Sequence, residues 1–224
     1  MGNKLLLQFS LLAVVLFLFS GTASADKKKK KNSEESFRVQ LFLRDGSMVD
    51  GFIRTSLNFE ATQVGVGETP RGKFKMYNSE DIDRLVYPPS EDDPREIVWR
   101  PEFISRSDSG AYKAYKDVPV MMREDFDGRR VKGYIGTYEY TVYTGRQAIV
   151  YNVFRYYYKL DGEEFVRIYF TDMLTPKKKD FMRKPFLSFP AMQAYFDSKD
   201  FDRHEAADNP EMMLQVLDDL LTEQ

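Results

Sequence analysis

The stretch from Val131 to Phe170 constrains the fold more than any other part of the chain. Most of the 14 tyrosines lie in it, interspersed with valine, isoleucine and threonine. β-branched and aromatic residues favour strands because they pack well on a pleated, half-buried surface. Turn signals at Thr144-Gly145 and Asp161-Gly162 divide the stretch into three strands. The sequence therefore predicts a tyrosine-rich antiparallel meander.

The turn at Asp161-Gly162 also predicts which residues of the last two strands lie opposite each other. With a two-residue turn, the opposed pairs are Tyr158 with Phe165, Tyr156 with Arg167, and Phe154 with Tyr169. These side chains form an aromatic face with one arginine, and such rings can stack on sugars or anchor a protein partner. The candidate binding residues are Tyr156, Tyr158, Arg167 and Tyr169. The alternative is that the rings only cover the core.

The N-terminus has the three parts of a secretory signal peptide. Lys4 precedes an apolar run from Leu5 to Phe19, and Ala23-Ser24-Ala25 follows as a cleavage site. We predict cleavage after Ala25, which removes residues 1–25 and leaves no stable membrane insertion. The predicted localisation of the mature protein is periplasmic or extracellular.

A run of five lysines, Lys27 to Lys31, follows the predicted cleavage site. We interpret residues 26–36 as a solvated tether of basic and polar residues. An uncleaved anchor that keeps this basic flank in the cytoplasm is the alternative. The chain contains no cysteine, so it forms no disulfides even where export would permit them.

Residues 37–87 have the pattern of a small β-barrel-like module. Phe37, Val39, Leu41 and Leu43 alternate with mostly polar residues, as in a strand with one buried face. Asp45-Gly46 then turns the chain, and a second strand follows. The alternation and the turn together predict a hairpin at the start of this module.

The motif from Val39 to Ile53, with Asp45-Gly46 at the turn and Gly51 in the return strand, resembles the opening hairpin of small SH3-like and Sm-like β-barrels. The segment from Ser79 to Leu85 is similar to their closing turn and strand. The resemblance implies the fold of this module. The RNA-contacting signature that Sm-like proteins carry after the hairpin is missing. Because the net charge is also slightly negative, −2, we expect no nucleic-acid partner.

Residues 88–95 are proline-rich and acidic, and we predict a linker there. Residues 96–224 are then expected to form an antiparallel sheet covered by C-terminal helices. Phe189-Pro190 opens one predicted helix, and Asn209-Pro210-Glu211 opens the last one, with an apolar stripe at helical spacing behind it. This half resembles uncharacterised secreted proteins of Gram-negative gut anaerobes, a resemblance that implies no known activity.

One short string occurs twice in the chain. Asp45-Gly46-x-x-Val49-x-Gly51 recurs as Asp127-Gly128-x-x-Val131-x-Gly133. Either two barrels arose by duplication, or two turn-and-strand hairpins converged on the same residues. The flanking sequences do not align, which favours convergence.

The sequence carries no catalytic signature. Without cysteine there is no thiol nucleophile, and no serine lies in a nucleophile-elbow motif that the only histidine, His204, would serve. We interpret His204 as a solvated loop residue. The segment that begins at Asp200 departs from a calcium loop at the glycine position, and zinc-ligand clusters, P-loops and dinucleotide motifs do not occur. We therefore predict no metal site and no cofactor.

The predicted fold is mainly β with C-terminal helices (α+β): a small SH3-like barrel followed by the antiparallel tyrosine-rich meander, which short helices cover. The predicted function is non-catalytic binding of a protein or polysaccharide partner. The alternative is a carboxylate-dependent hydrolase that acts on envelope or dietary polysaccharide. Acidic residues are plentiful, and only the separation of two carboxylates in space identifies a catalytic pair.

Overall fold

The protein is mainly β-structure with short helices at its C-terminal end, as the sequence predicts. The computed structural model describes residues 36–91, 94–105, 117–144, 147–172 and 179–223. The predicted signal peptide and all of the predicted tether except Ser36 lie outside the described residues, as do Gly145 of one predicted turn and residues 92–93 of the predicted linker. No helix in the described ranges is long and apolar enough to cross a membrane.

Ten strands of the described chain pair into one sheet. They are β1 (Phe37–Leu43), β2 (Met48–Ile53), β3 (Gln63–Gly67), β4 (Phe74–Asn78), β5 (Ile82–Tyr87), β6 (Ile97–Ile104), β7 (Val120–Asp127), β8 (Val131–Thr144), β9 (Gln147–Leu160) and β10 (Phe165–Thr171). The order across the sheet is β10-β9-β8-β7-β6-β5-β1-β2-β3-β4, and every neighbouring pair in this order is antiparallel.

The first hairpin forms where its local sequence predicts it. Val39 and Leu41 of β1 point into the core of the first five strands, as alternation requires. At the turn, Gly46 has a φ of 87°, a left-handed conformation that favours glycine. The carboxylate of Asp45 accepts hydrogen bonds from the backbone N–H and the hydroxyl of Ser47, at 2.9 and 2.6 Å. These local bonds hold β1 and β2 in register.

The sheet continues across the predicted linker at residues 88–95. β5 pairs with β6, and Leu85 lies opposite Trp99 in this pairing. Residues Glu34–Gln224 accordingly form one compact unit. The division into a module over residues 37–87, a linker over 88–95 and a second part over 96–224 stays a prediction.

The last five strands form a closed ring of pairings. β10 pairs with its neighbour β9 and also, in parallel, with β6, where Val166 lies opposite Ile104. The ring encloses an apolar cluster that consists of Ile104, Val120, Met122, Tyr134, Tyr157 and Val166. The predicted meander is confirmed as β8, β9 and β10.

The predicted register between β9 and β10 is wrong by two residues. Tyr158 lies opposite Arg167 instead of Phe165, and Phe170 lies opposite Tyr156 after a bulge. The connection is longer than a two-residue turn because the Glu163 carboxylate accepts the backbone N–H of Leu160 at 3.2 Å. The N–H of Glu163 in turn donates to the carbonyl of Leu160 at 3.1 Å. A four-residue turn therefore shifts every pair that follows it.

Four short α-helices cover one face of β8, β9 and β10. They are α1 (Lys179–Arg183), α2 (Pro190–Asp197), α3 (Arg203–Asp208) and α4 (Glu211–Thr222), and a 3-10 turn over Lys184–Phe186 follows α1. The core between helices and sheet is strongly aromatic. Its buried members include Tyr158, Tyr169, Phe170, Phe186 and Phe196. The predicted starts at Pro190 and near Pro210 are confirmed within one residue.

The interpretation of His204 as a loop residue is wrong. His204 is exposed in the first turn of α3. The carboxylate of Asp202 caps this helix by accepting the backbone N–H groups of His204 and Glu205, at 2.7 and 3.3 Å. An N-terminal aspartate cap is a strong helix signal, and here it outweighs the polar composition of the segment.

The two copies of the repeated string use their first glycine differently. Gly46 has a left-handed conformation, and a Cβ added to it would meet nothing within 4 Å. A Cβ at Gly128 would lie 2.6 Å from the carboxylate of Asp218, a residue of α4. That carboxylate accepts the backbone N–H groups of Arg129, Arg130 and Val131 at 3.0, 2.6 and 2.9 Å. Because Gly46 and Gly128 meet different structural constraints, convergence is favoured over duplication of the string.

Candidate functional site

The ring of strands opens where β7 and β8 separate. The two strands are paired from Asp127, which lies opposite Lys132, to Arg123, which lies opposite Ile135. Farther along β7, the backbone N–H of Met121 donates to the carbonyl of Ala61 at 2.8 Å. Ala61 belongs to the loop between β2 and β3, so this loop occupies the gap between the two strands.

Phe59 anchors the β2–β3 loop in this gap. The phenyl group of Phe59 packs against the buried apolar cluster that the last five strands enclose. The ring centroids of Phe59 and Tyr138 are 4.7 Å apart, and those of Phe59 and Tyr157 are 5.9 Å apart. Gly136 permits this approach, because a Cβ there would lie 2.5 Å from a ring carbon of Phe59. The residue types at positions 59 and 136 therefore depend on each other.

Two further contacts fix the loop on either side of Phe59. The backbone N–H of Leu57 donates to the hydroxyl of Tyr87 at 2.9 Å. Burial raises the pKa of Tyr87 to about 12, so this hydroxyl stays neutral at physiological pH. Glu60 has a φ of 64°, a strained conformation for a residue with a side chain, and it accepts a hydrogen bond from the Tyr138 hydroxyl at 3.2 Å. The loop is thus held in one conformation.

We expect Gly136→Val to destabilise the protein by about 1–3 kcal/mol, because the new side chain overlaps the Phe59 ring. Urea unfolding of the two proteins measures the difference. The neighbouring variant Thr137→Val is the control, since Thr137 is exposed and its side chain points to the other face. Equal stability of the two variants would contradict the packing described here.

A cleft of about 560 Å³ lies between the β2–β3 loop and the strands β8 and β9. Its lining combines apolar groups with polar side chains from five elements, namely the β2–β3 loop and the strands β6, β7, β8 and β9. The lining residues that carry polar groups are Ser56, Asn58, Trp99, Arg123, Thr137, Glu139 and Asn152. Arg123 forms an ion pair with Asp125. The other six side chains make no hydrogen bond or ion pair with any described residue. These groups are therefore available to a ligand.

The cleft continues onto a two-stranded ribbon, which we define as residues 137–144 of β8 and 147–154 of β9. Within the described residues, β8 pairs with β7 as far as Ile135, and β9 pairs with β10 as far as Arg155. Apolar side chains are exposed on this ribbon, namely those of Ile149, Val150, Tyr151 and Phe154. Because successive residues alternate, Val150 and Phe154 share the cleft face with Asn152, and Tyr151 lies on the other face.

The structure brings the four predicted binding residues together next to the helices. The ring centroid of Tyr169 lies 6.2 Å from that of Tyr156 and 6.0 Å from that of Tyr158. The guanidinium of Arg167 is 5.8 Å from the Tyr158 ring centroid and also contacts Glu163. Tyr158 and Tyr169 are buried in the helix-covered core, and Tyr156 packs against it. The binding role of these residues stays a prediction.

The pKa values of the Tyr156 and Tyr169 hydroxyl groups are raised above the ordinary value for tyrosine. Burial is the main cause of the raised pKa of Tyr169, and the carboxylate of Asp125 adds to it. Burial likewise raises the pKa of Tyr156, with smaller contributions from Asp125 and Asp172. Both phenols are therefore neutral at physiological pH. Tyr156 lies opposite Ile135, a residue of the cleft lining, so it is the predicted residue closest to the cleft.

A second polar cluster lies between β6, β8 and β9. The carboxylate of Glu102, which is 7% exposed, accepts hydrogen bonds from the Tyr134 hydroxyl and the Lys159 ammonium, each at 2.5 Å. Nearby, Arg100 forms an ion pair with Glu124 at 2.5 Å. Because each charge faces an opposite charge, this cluster is a structural crosslink between strands.

The described residues contain no group of three or more histidine, aspartate or glutamate side chains that could hold a metal ion. Among the described residues that line the cleft, Glu139 carries the only carboxylate. The chemistry that this lining offers is hydrogen bonding and ring stacking.

Sequence reasoning missed most of the cleft. Asn58, Glu139 and Asn152 belong to no motif and carry no sequence signal for a site. The one hint in the sequence is that Trp99 is the only tryptophan of the chain.

Comparisons with known proteins give no relative of this chain. No family model matches its sequence. No curated protein and no solved structure matches it either. The resemblances to SH3-like and Sm-like barrels and to secreted proteins of gut anaerobes thus receive no support from the comparisons.

Proposed function

We propose that the protein is an exported, non-catalytic module that binds a protein or polysaccharide partner through the cleft and the ribbon beside it. One observation carries the proposal: polar side chains from the β2–β3 loop, β7, β8 and β9 and a tryptophan from β6 converge on one cleft. Ser56, Asn58, Thr137, Glu139 and Asn152 are exposed and Trp99 is half-buried, so a ligand can reach them. A concave surface on which a few polar groups converge is a usual form of ligand site.

The exposed apolar side chains of the ribbon support the same proposal. Val150 and Phe154 extend the cleft face away from the body of the protein. Apolar groups that cluster on a surface commonly mark an interaction site. A macromolecular partner that fills the cleft would therefore also cover this face.

The predicted signal peptide supports export to the periplasm or the exterior. We further propose that residues 37–87 form a small SH3-like barrel. Their strand order, β5-β1-β2-β3-β4, and the 3-10 turn at Ser79–Asp81 before β5 support a small SH3-like barrel that presents the β2–β3 loop.

The rival function is polysaccharide hydrolysis by two carboxylates. Such a pair lies about 5–9.5 Å apart on either side of the scissile bond. The described cleft lining supplies Glu139 alone, and Asp125 is engaged by Arg123 at 3.2 Å. Binding without chemistry is therefore the better account of this lining.

A capture experiment with the mature chain tests the proposal. We expect the immobilised wild-type protein to retain a partner from envelope extract or from a glycan array. Val150→Glu should weaken retention by about tenfold or more, because it places a charge on the cleft face of the ribbon.

Leu187→Glu is the matched control, since Leu187 is also an exposed aliphatic residue, at 64% against 56% for Val150, and lies in the helical part of the chain. It should retain the partner as the wild type does. Failure of the wild type to capture any partner, or equal loss in both variants, would refute the proposed site.

A further inference from the structure

We propose that the cleft binds a neutral oligosaccharide, with a sugar ring stacked on Trp99 and its hydroxyl groups bound by Asn58, Glu139 and Asn152. This inference rests on the proposed binding function and names its ligand class. The alternative occupant, a peptide segment of a protein partner, is an outcome of the test below.

The chemistry of the lining fits the two kinds of surface that a sugar ring presents. The C–H groups on the ring face pack on an indole, which offers a large apolar surface with a polar edge. The hydroxyl groups at the ring edge both donate and accept. Amide and carboxylate side chains such as Asn152 and Glu139 supply the matching acceptors and donors.

The lining spans the cleft from wall to wall. Ser56 and Asn58 belong to the β2–β3 loop, Trp99 to β6, and Thr137 and Asn152 to the paired strands β8 and β9. A ligand held by both walls therefore lies between the loop and the ribbon. A volume of about 560 Å³ falls in the range of pockets that take ligands of drug-like size, about 300–1,000 Å³.

The charge of the cleft favours a neutral ligand. Among the described residues of the lining, Arg123 is the only cation, and its guanidinium is already paired with Asp125 at 3.2 Å. The exposed carboxylate of Glu139 remains, and it would repel an anionic sugar. Glu139 acts here as a hydrogen-bond acceptor for hydroxyl groups, a role that does not need a charged partner.

The wall formed by the loop is preorganised. The Ala61–Met121 and Leu57–Tyr87 hydrogen bonds hold its two ends, and the Phe59 ring holds its middle. A rigid wall loses little conformational entropy on binding, which matters for a ligand whose hydroxyl groups gain little free energy by exchanging water for protein.

Trp99 provides a direct assay because the chain has no other tryptophan. We expect the emission of the mature protein to change saturably on titration with at least one of cellohexaose, mannohexaose and maltohexaose. Oligogalacturonate, an anionic chain, should produce no saturable change.

Variants locate the effect in the cleft. Asn152→Ala should raise the dissociation constant by about three- to tenfold, as for the loss of one hydrogen bond, while Glu139→Gln keeps it within about threefold. Tyr151→Ala, next to Asn152 but on the opposite face of the ribbon, is the control and should bind as the wild type does. Trp99→Phe and Trp99→Ala, measured by calorimetry, should weaken binding progressively.

The inference is overturned if no neutral hexasaccharide changes the emission, if only oligogalacturonate binds, or if Asn152→Ala and Tyr151→Ala bind alike. Where the capture experiment still retains a protein partner, the carbohydrate inference fails and the proposed binding function survives. Where neither experiment gives binding, both fail.

Discussion

Tyr158→Ala is expected to lower the free energy of unfolding by about 3–5 kcal/mol, the usual cost of truncating a large aromatic residue in a core. Tyr158 is fully buried, and its ring stacks on Phe186 at a centroid distance of 5.5 Å. Its hydroxyl donates to the carbonyl of Pro185 at 3.1 Å. Truncation leaves a cavity between the meander and the helices and removes this hydrogen bond.

Two controls separate these contributions. Tyr158→Phe removes only the hydroxyl and should cost about 0.5–1.5 kcal/mol, as for one hydrogen bond. Tyr151→Ala truncates a tyrosine on the same strand that is 37% exposed, and it should cost less than about 1 kcal/mol. Chemical denaturation of the three variants gives the values. A Tyr158→Ala protein as stable as Tyr151→Ala would show that the ring is not part of the core.

A further variant, Tyr156→Ala, tests the predicted tyrosine site together with Tyr158→Phe. Tyr156 packs at the edge of the core and lies opposite the cleft residue Ile135. If Tyr156→Ala folds and loses partner binding while Tyr158→Phe binds normally, the predicted site merges with the cleft. If both variants bind normally, the Tyr156 ring and the Tyr158 hydroxyl contribute to packing and not to binding.

The second large effect concerns Asp218, which ties α4 to the turn between β7 and β8. Its carboxylate is 4% exposed and accepts three backbone N–H groups, from Arg129, Arg130 and Val131. Hydrogen bonds to a charged group contribute about 1.5–3 kcal/mol each and are not additive, so we expect Asp218→Ala to cost about 3–4 kcal/mol. The neighbouring variant Asp219→Ala is the control, because Asp219 is exposed and its side chain bonds only to that of Gln215 within the described chain.

The contribution of Asp218 depends on pH. Burial by itself would raise the pKa of the carboxyl, but the three N–H donors outweigh it and lower the pKa below its ordinary value of 3.8. A carboxylate with a lowered pKa in the folded state stabilises the protein above its unfolded-state pKa, about 3.9. This stabilisation is lost as the pH falls through the lower, folded-state pKa.

The stability difference between the wild type and Asp218→Ala should therefore be largest at neutral pH and shrink below about pH 4. Unfolding curves recorded from pH 7 down to pH 2 measure it. A difference that stays constant over this interval would mean that the ionised carboxylate is not the source of the effect.

Sequence signals between near neighbours account for most of the elements that sequence reasoning predicts correctly. The strands β8, β9 and β10 follow from β-branched and aromatic runs, the β1–β2 hairpin follows from Asp45-Gly46, and α2 follows from Pro190. Each signal acts between residues a few positions apart. α3 was missed although its cap, Asp202, is also local, because a polar helix of six residues has no apolar stripe to mark it.

The register of β10, the closure of the strand ring and the position of the cleft depend on contacts between residues far apart in the sequence. The turn that sets the register depends on one carboxylate, Glu163, which no periodicity reveals. Phe59 meets Gly136 across 77 positions of sequence, and Asp218 meets Arg129 across 89. Alternation and propensity specify which face of a strand is apolar, but not which distant segment covers it, because that choice depends on the packing of the whole chain.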